Sequence, residues 1–265
     1  MGFDKNQCFD IVFNDFEKYL KTFSQEHLLS PPFRMKVDHT FRVVSEIKSI
    51  FLAGEKFFDS KFTLDLAMVA ALLHDLGRFQ QYVSFGTFDD RNTLNHAALS
   101  VVIIDQIDLL FCCEKQERDF LRQAILYHNA EFVPESLFGP LLLFVYMLRD
   151  ADKLDILNVV LNVSIEKKTV DYSEEIFSLV STFQKVPYLL VKTKIDMLLF
   201  RLSWVFDIAF SKTMQEVLER KYIDRIALML PDDQKFAGLC RSVKDYLFKK
   251  LMYCQNENVF FYGFG

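Results

Sequence analysis

Glycine and proline are scarce in this chain, at 8 and 6 of 265 residues. Tight turns are therefore few, which favours helices joined by short connections over a fold of many short strands. Long apolar runs are missing too. MLLFRLSWVFDIAF is interrupted by Arg201 and Asp207, and it falls short of the ~20 residues a membrane span needs. No run of basic residues exceeds two, and the formal net charge is −5, so the surface carries no electrostatic footprint for nucleic acid. The five cysteines (Cys8, Cys112, Cys113, Cys240 and Cys254) are odd in number and follow no ligand spacing. They read as separate thiols in a reducing compartment. The first ten residues, MGFDKNQCFD, are acidic and lack the apolar centre of a signal peptide, and Asn6 breaks a myristoylation pattern begun by Gly2. The expectation is a cytoplasmic protein that meets no membrane. Its oligomeric state is open, a homo-oligomer included.

What is present is apolar and aromatic. Hydrophobic residues make up 51% of the chain, with 29 phenylalanines, enough for one large core or one domain with an appended subdomain. Apolar residues recur at three- and four-residue steps almost throughout, so the expected fold is all-α. Helices are expected over 7–23 and from about Lys36 to Ala53, after the start marked by PPFRM. TLDLAMVAALLHDLG reads as a buried helix capped by Thr63 and stopped by Gly77. Residues 80–94 lack a period and read as a loop. Asn95 caps a helix over 96–111, EKQERDFLRQAILYH forms another, and ESLFGP precedes a long one. Beyond residue 165, helices are expected at 173–184, 187–210, 211–229 and 232–254. No repeat or linker appears, and the interesting polar residues stop near residue 165.

Two features carry chemistry. LRDADKLDIL sets three aspartates directly after the apolar PLLLFVYM. Buried carboxylates are costly unless something positive compensates them. There are also only five histidines, His27, His39, His74, His96 and His128, and four of them lie in or at the ends of apolar helices. Imidazoles and carboxylates brought together from several helices are the expected ligands of Mn²⁺, Fe, Ni²⁺ or Zn²⁺. Such an ion would supply the missing positive charge. Adjacent His74 and Asp75 can share one ion only if their helix ends there. Asp150 and Asp152 are ~200° apart around a helix, so only one faces a given centre, and spacing does not choose between them.

The order His39, His74–Asp75, then an aspartate in an ADKL context resembles the HD superfamily of metal-dependent phosphohydrolases. DHTFRVV, LLHDLGRF, FGTFDDRNTLNHAALS, AILYHN and LRDADKLDIL carry the likeness over roughly residues 35–160. The resemblance implies an HD helical bundle spanning 1–165 with a C-terminal helical extension over 166–265. It implies a first metal held by His39, His74, Asp75 and Asp152, the ADxL context selecting Asp152. His96 and His128 match the extra ligands of members with two ions, so one or two divalent ions (Mn, Fe, Ni, Zn or Mg) are expected. The implied chemistry is hydrolysis of a phosphoester or phosphoanhydride in a small phosphorylated substrate, a nucleotide for preference. Asp75 would hold the ion and orient the attacking water. Arg78 could clamp a phosphate or serve as a helix C-terminal charge. Arg42 and Lys153 could likewise contact substrate or form salt bridges. Tyr82, Phe85 and Phe88 could stack on a base or pack their own loop, and Asp89 and Asp90 would repel phosphates unless they face solvent. The alternative to an enzyme is a non-catalytic metal-binding regulatory or scaffold module of the same fold. A nuclease is disfavoured by the acidic charge.

Overall fold

A computed structural model describes residues 8–58, 63–160 and 171–262. Their helices are α1 (Cys8–Leu20), α2 (Gln25–Leu29), α3 (Pro31–Ala53), α4 (Leu64–Leu73), α5 (Leu76–Phe85), α6 (His96–Gln106), α7 (Lys115–Tyr127), α8 (Gly139–Val160), α9 (Glu174–Ser181), α10 (Lys194–Ser203), α11 (Ser211–Glu219), α12 (Tyr222–Met229) and α13 (Gln234–Asn256). Among the described residues there is no strand, only one isolated antiparallel bridge between Phe210 and Phe261. The fold class is all-α, as expected. No helix among these residues is long and apolar enough to cross a membrane. The chain divides into two compact units, Met1–Asp152 and Lys153–Gly265, and the division falls within α8. The boundary expected near residue 165 lies outside the described residues, as do Gly2 and Asn6 of the amino-terminal motif.

The first unit is organised around α4. Its sequence, LDLAMVAALL, is apolar on every side, and such a helix is stable only when surrounded. Leu66, Ala67 and Val69 to Leu73 are all buried, and α4 packs against α1, α3 and α7. Thr63 caps it by accepting the amide of Leu66. Helix α1 buries Cys8, Val12 and Phe16 at four-residue steps. Phe16, Phe33 and Phe79 meet edge-on or tilted, with centroids 4.8 to 6.0 Å from Phe79, and pin the start of α5 to α1 and α3. Helix α6 packs on α5 and α7.

Several boundaries differ from the sequence reading. Helix α3 begins at Pro31 rather than Lys36: a proline in the first turn has no amide to satisfy, so Ser30-Pro-Pro is itself the start. The helix containing His74 does stop where it should, but Gly77 is not the cause. Asp75 leaves helical geometry (φ −104, ψ 16) and α5 starts at once, with Gly77 inside it. Residues 80–85 are therefore helix, not loop. The turn comes at Gly86, whose φ of +69 suits glycine and whose amide donates to the carbonyl of Tyr82 at 2.8 Å. Helix α6 ends at Gln106, short of residue 111, and the left-handed Asp108 follows.

In the second unit, the span 187–210 holds a short 3₁₀ turn and then α10, which restarts at a capping box formed by Thr193 and Asp196. The span 211–229 is cut in two by Lys221, at φ +57. Helix α13 packs on α9, α11 and α12, and α10 on α9 and α12. Asp196 is buried and accepts the amides of Ser173, Lys192 and Thr193, which ties the start of α9 to that of α10. Lys250 is also buried and donates to the carbonyl of Ile208 at 2.6 Å.

Candidate metal centre

Six side chains of the first unit converge. His39 projects from the middle of α3. His74 closes α4, and Asp75 occupies the break before α5. His96 is the first residue of α6, His128 follows the last residue of α7, and Asp152 lies on α8. The four histidines and Asp75 are buried, and the side chain of Asp152 is 19% exposed. The break at Asp75 is what lets two adjacent residues face one point, since a continuing helix would turn them ~100° apart.

Asp75 sits at the middle and its two oxygens face different partners. Oδ2 lies 3.4 Å from His39 Nε2 and 3.7 Å from His74 Nε2. Oδ1 lies 3.2 Å from His96 Nε2 and 4.0 Å from His128 Nε2. Asp152 Oδ1 is 3.2 Å from His39 Nε2 and 3.8 Å from His74 Nε2. Asp152 is thus the carboxylate brought to the imidazoles; Asp150 is buried on the same helix, ~200° round. His39, His74 and Asp152 form one group whose ligand atoms lie within 4.8 Å of one another, and His74, Asp75 and His128 form a second.

The outer nitrogens fix the rings. Nδ1 of His74 faces the carbonyl of Ala71 at 2.7 Å, and Nδ1 of His128 faces that of Ile125 at 2.7 Å. A carbonyl only accepts, so these nitrogens carry the proton and each Nε2 presents a bare lone pair inward. Nδ1 of His96 is held at 2.6 Å by Asp90, with the same consequence. The result is two lone pairs, on His96 and His128 Nε2, facing each other across 3.1 Å. His74 Nε2 is buried with no hydrogen-bond partner. Burial pushes the imidazole of His128 down to about 3, and burial also lowers His96 against the pull of Asp75 and Asp90. Neither ring relieves the repulsion by protonation near neutral pH. Burial works to raise Asp75, yet the ammonium of Lys36 holds it well below the usual carboxylate range. Anionic oxygens among inward lone pairs are the donor set of a borderline or hard divalent cation.

Residues that the sequence did not single out complete the centre. Lys36, one turn before His39 on α3, pairs with Asp75 Oδ2 at 2.6 Å and lies 5.6 Å from the ring of Phe88. Asp90 turns inward rather than to solvent. It braces His96, pairs with Arg78 at 2.7 Å and accepts from Gln81 at 2.9 Å, and although burial opposes it, His96 and Arg78 hold its carboxyl at about 2. Ser100 accepts the amide of Gly77 at 2.8 Å and lies 2.9 Å from the carbonyls of both His74 and His96, joining α4, α5 and α6 where the ligands leave them. Arg149 is buried and donates to the carbonyls of Tyr127, His128 and Ala130 at 2.6 to 3.2 Å, which caps α7 at the ligand. An inward aspartate, a serine and a buried arginine have no spacing signature; only a count of charged residues on apolar helix faces hints at them.

Of the residues considered for substrate, Arg78 stands in the first turn of α5, so it is not a helix C-terminal charge. Its Nη1 donates to Asp90, Gln81 and the carbonyl of Phe88, and its Nε is 3.5 Å from Asp75 Oδ1. Tyr82 stacks on Phe88 with centroids 5.1 Å apart, while Phe85 is exposed. Asp89 binds Arg91 and Asn92 within the loop. Arg42 lies half-buried on α3 beyond His39. In the second unit, Lys153 pairs with Asp207, which also pairs with Lys185. His27 lies outside the centre, bonded to Ser24.

Residues 37–164 match the family model of the HD domain. This stretch is an HD domain. No curated protein and no solved structure matches it. Members of the superfamily are metal-dependent phosphohydrolases in general, and the two His/Asp groups just described could hold metal here.

Proposed function

We propose that this HD protein hydrolyses a small phosphorylated substrate, a nucleotide for preference, with two divalent ions of the manganese or iron class. The observation that carries the reading is the division of Asp75, one oxygen toward His39 and His74 and the other toward His96 and His128. His39, His74 and Asp152 on one side of Asp75, and His96 and His128 on the other, would with Asp75 hold the ions. When bound, the ions supply a water acidified to near neutral pH and positive charge for phosphoryl oxygens.

The chain's own residues then have distinct tasks. Asp75 holds both sets in register. Asp90 and the carbonyls of Ala71 and Ile125 keep each Nδ1 protonated and each Nε2 inward. Lys36 and Arg78 bring two cations to the rim, where a phosphate would draw them from Asp75 and Asp90. The paired rings of Tyr82 and Phe88 offer an apolar edge for a base. The reading places the protein in the cytoplasm, with such metabolites.

The test is elemental analysis of protein reconstituted with Mn²⁺, joined to a screen of nucleoside phosphates and a chromogenic phosphodiester. Two ions per chain and turnover abolished by His74→Ala or Asp75→Asn are expected. Full metal occupancy with no turnover of any phosphoester would instead establish a non-catalytic metal-binding module.

A further inference from the structure

The first unit holds a second cluster that the HD centre does not use. Cys8 opens α1, and Cys112 and Cys113 lie in the turn between α6 and α7, directly before Glu114, the residue that caps α7. More than a hundred residues separate Cys8 from the pair, so their spacing could not show that the three belong together. In the fold, all three sulfurs lie within 4.8 Å of one another. Sγ of Cys8 and Cys113 are 3.0 Å apart, and Cys112 Sγ is 3.9 Å from the carbonyl of Cys8. Cys8 and Cys113 are buried, and Cys112 is partly open to solvent.

We propose that Cys8, Cys112 and Cys113 form a second metal site, for a thiophilic divalent ion of the zinc class.

Three observations support it. The first is the number of donors. A disulfide between Cys8 and Cys113 would use two sulfurs and leave Cys112 idle, whereas an ion uses all three. A metal–sulfur bond of ~2.3 Å places tetrahedral sulfurs ~3.8 Å apart, within the range the cluster spans. The second is that the donors are held from outside. The amide of Phe9 donates to both oxygens of Asp65 in the first turn of α4, at 3.2 and 3.1 Å. Arg118 donates to the carbonyls of Cys113 and Phe111 at 2.9 and 2.8 Å, and the Cys113 amide donates to Leu110 at 2.9 Å. Neither segment has to be reorganised to present its sulfurs. The third is electrostatic. Asp65, Asp10 and Glu117 lie near enough to one another to interact, so the surroundings carry negative charge and favour a cation. Cys112 is the one sulfur of the three within reach of solvent, so an arriving ion meets it first.

Each thiol that ligates releases one proton to solvent, so a divalent ion with three thiolates leaves the site at a net charge of −1, with one position for water. The ion would staple the start of α1 to the turn that leads into α7, the helix that ends at His128. Its role is structural and separate from the central imidazoles.

Reduced, metal-stripped full-length protein is titrated with Cd²⁺, and the thiolate-to-metal absorption in the ultraviolet is followed. One equivalent per chain should saturate the band in wild type. His74→Ala and the Cys240→Ser/Cys254→Ser pair should keep it, because imidazole and carboxylate ligands give no such band and those two cysteines lie in the other unit. Cys112→Ser should abolish it while retaining the metal-free Tm, since that side chain is partly exposed. Zn²⁺ should raise the Tm of His74→Ala but not of His74→Ala/Cys112→Ser. A band that survives Cys112→Ser, the absence of any band in wild type, or a Cys8–Cys113 disulfide re-forming in place of metal uptake would each overturn the site. None of these results bears on phosphoester turnover at the HD centre.

Discussion

Gly77 gives the sharpest test of how the HD centre is held. It looks like a helix stop in the sequence, but it sits inside α5 against the first turn of α6. A Cβ added there would lie 2.4 Å from the carbonyl oxygen of His96, 2.7 Å from the amide nitrogen of Ser100 and 3.0 Å from Leu99 Cβ. The first two are backbone atoms, so no side chain can swing aside. Restoring ordinary contact, which begins near 3.4 Å, requires α5 and α6 to part by about 1 Å. Two effects of Gly77→Ala then oppose each other. Alanine in a helix interior stabilises by about 1 kcal/mol relative to glycine. Overpacking costs about 1–3 kcal/mol, and weakening the Gly77 amide bond to Ser100 costs about 1 kcal/mol more. The net expectation is a loss of about 1–3 kcal/mol, read as a lower Tm. The function should suffer more than the stability, because the displaced backbone is that of His96, which faces Asp75 in the candidate centre. His96 Nε2 would leave its 3.2 Å approach to Asp75, and a 1 Å error at a reacting centre can cost about 10²-fold in rate. Thermal unfolding, Mn²⁺ stoichiometry and hydrolysis together measure it. A variant with a raised Tm and full metal content would mean that helix propensity decides and the close approach of α5 to α6 does not exist.

Asp90→Ala removes the acceptor for His96 Nδ1 and should weaken the ion on the His96–His128 side by about 10–100-fold, leaving the His39–His74–Asp152 side nearly unchanged; competition titration resolves the two, and equal affinities would refute the bracing role. Arg149→Met leaves the carbonyls at the end of α7 without their charged donor and should cost about 2–3 kcal/mol in denaturant unfolding, a cost within 0.5 kcal/mol of zero counting against it. Asp196 is buried, which raises its carboxyl, but the amides of Ser173, Thr193 and Lys192 outweigh burial and hold it below the ordinary value of about 3.9. Between its folded and unfolded values the unfolded chain binds more protons, so the stabilisation is fully present above about pH 4 and is lost as pH falls through the folded value. Asp196→Asn should therefore flatten the acid limb of the stability curve, and an unchanged limb would sink the assignment.

Sequence alone yielded the fold class and named the side chains that converge in the candidate centre. Scarce glycine and proline with helical periodicity gave all-α, and Thr63 and Asn95 cap helices where short polar residues precede apolar runs, because capping is local chemistry. His39, His74, Asp75, His96, His128 and Asp152 could be named because HD-type spacing is a pattern along the chain. Tertiary structure decided what depends on distance across it. Gly77 reads as a stop in one dimension, and only the approach of α6 shows it to be a contact. Asp90 reads as a loop charge until α6 brings His96 to it, and Arg149 has no assigned role until α7 ends beside it. Which oxygen of Asp75 faces which imidazole, and the meeting of Cys8 with Cys112 and Cys113, are set by helix packing between segments far apart in sequence. No spacing rule encodes such meetings, because the position of each side chain is the sum of every turn and interface in between.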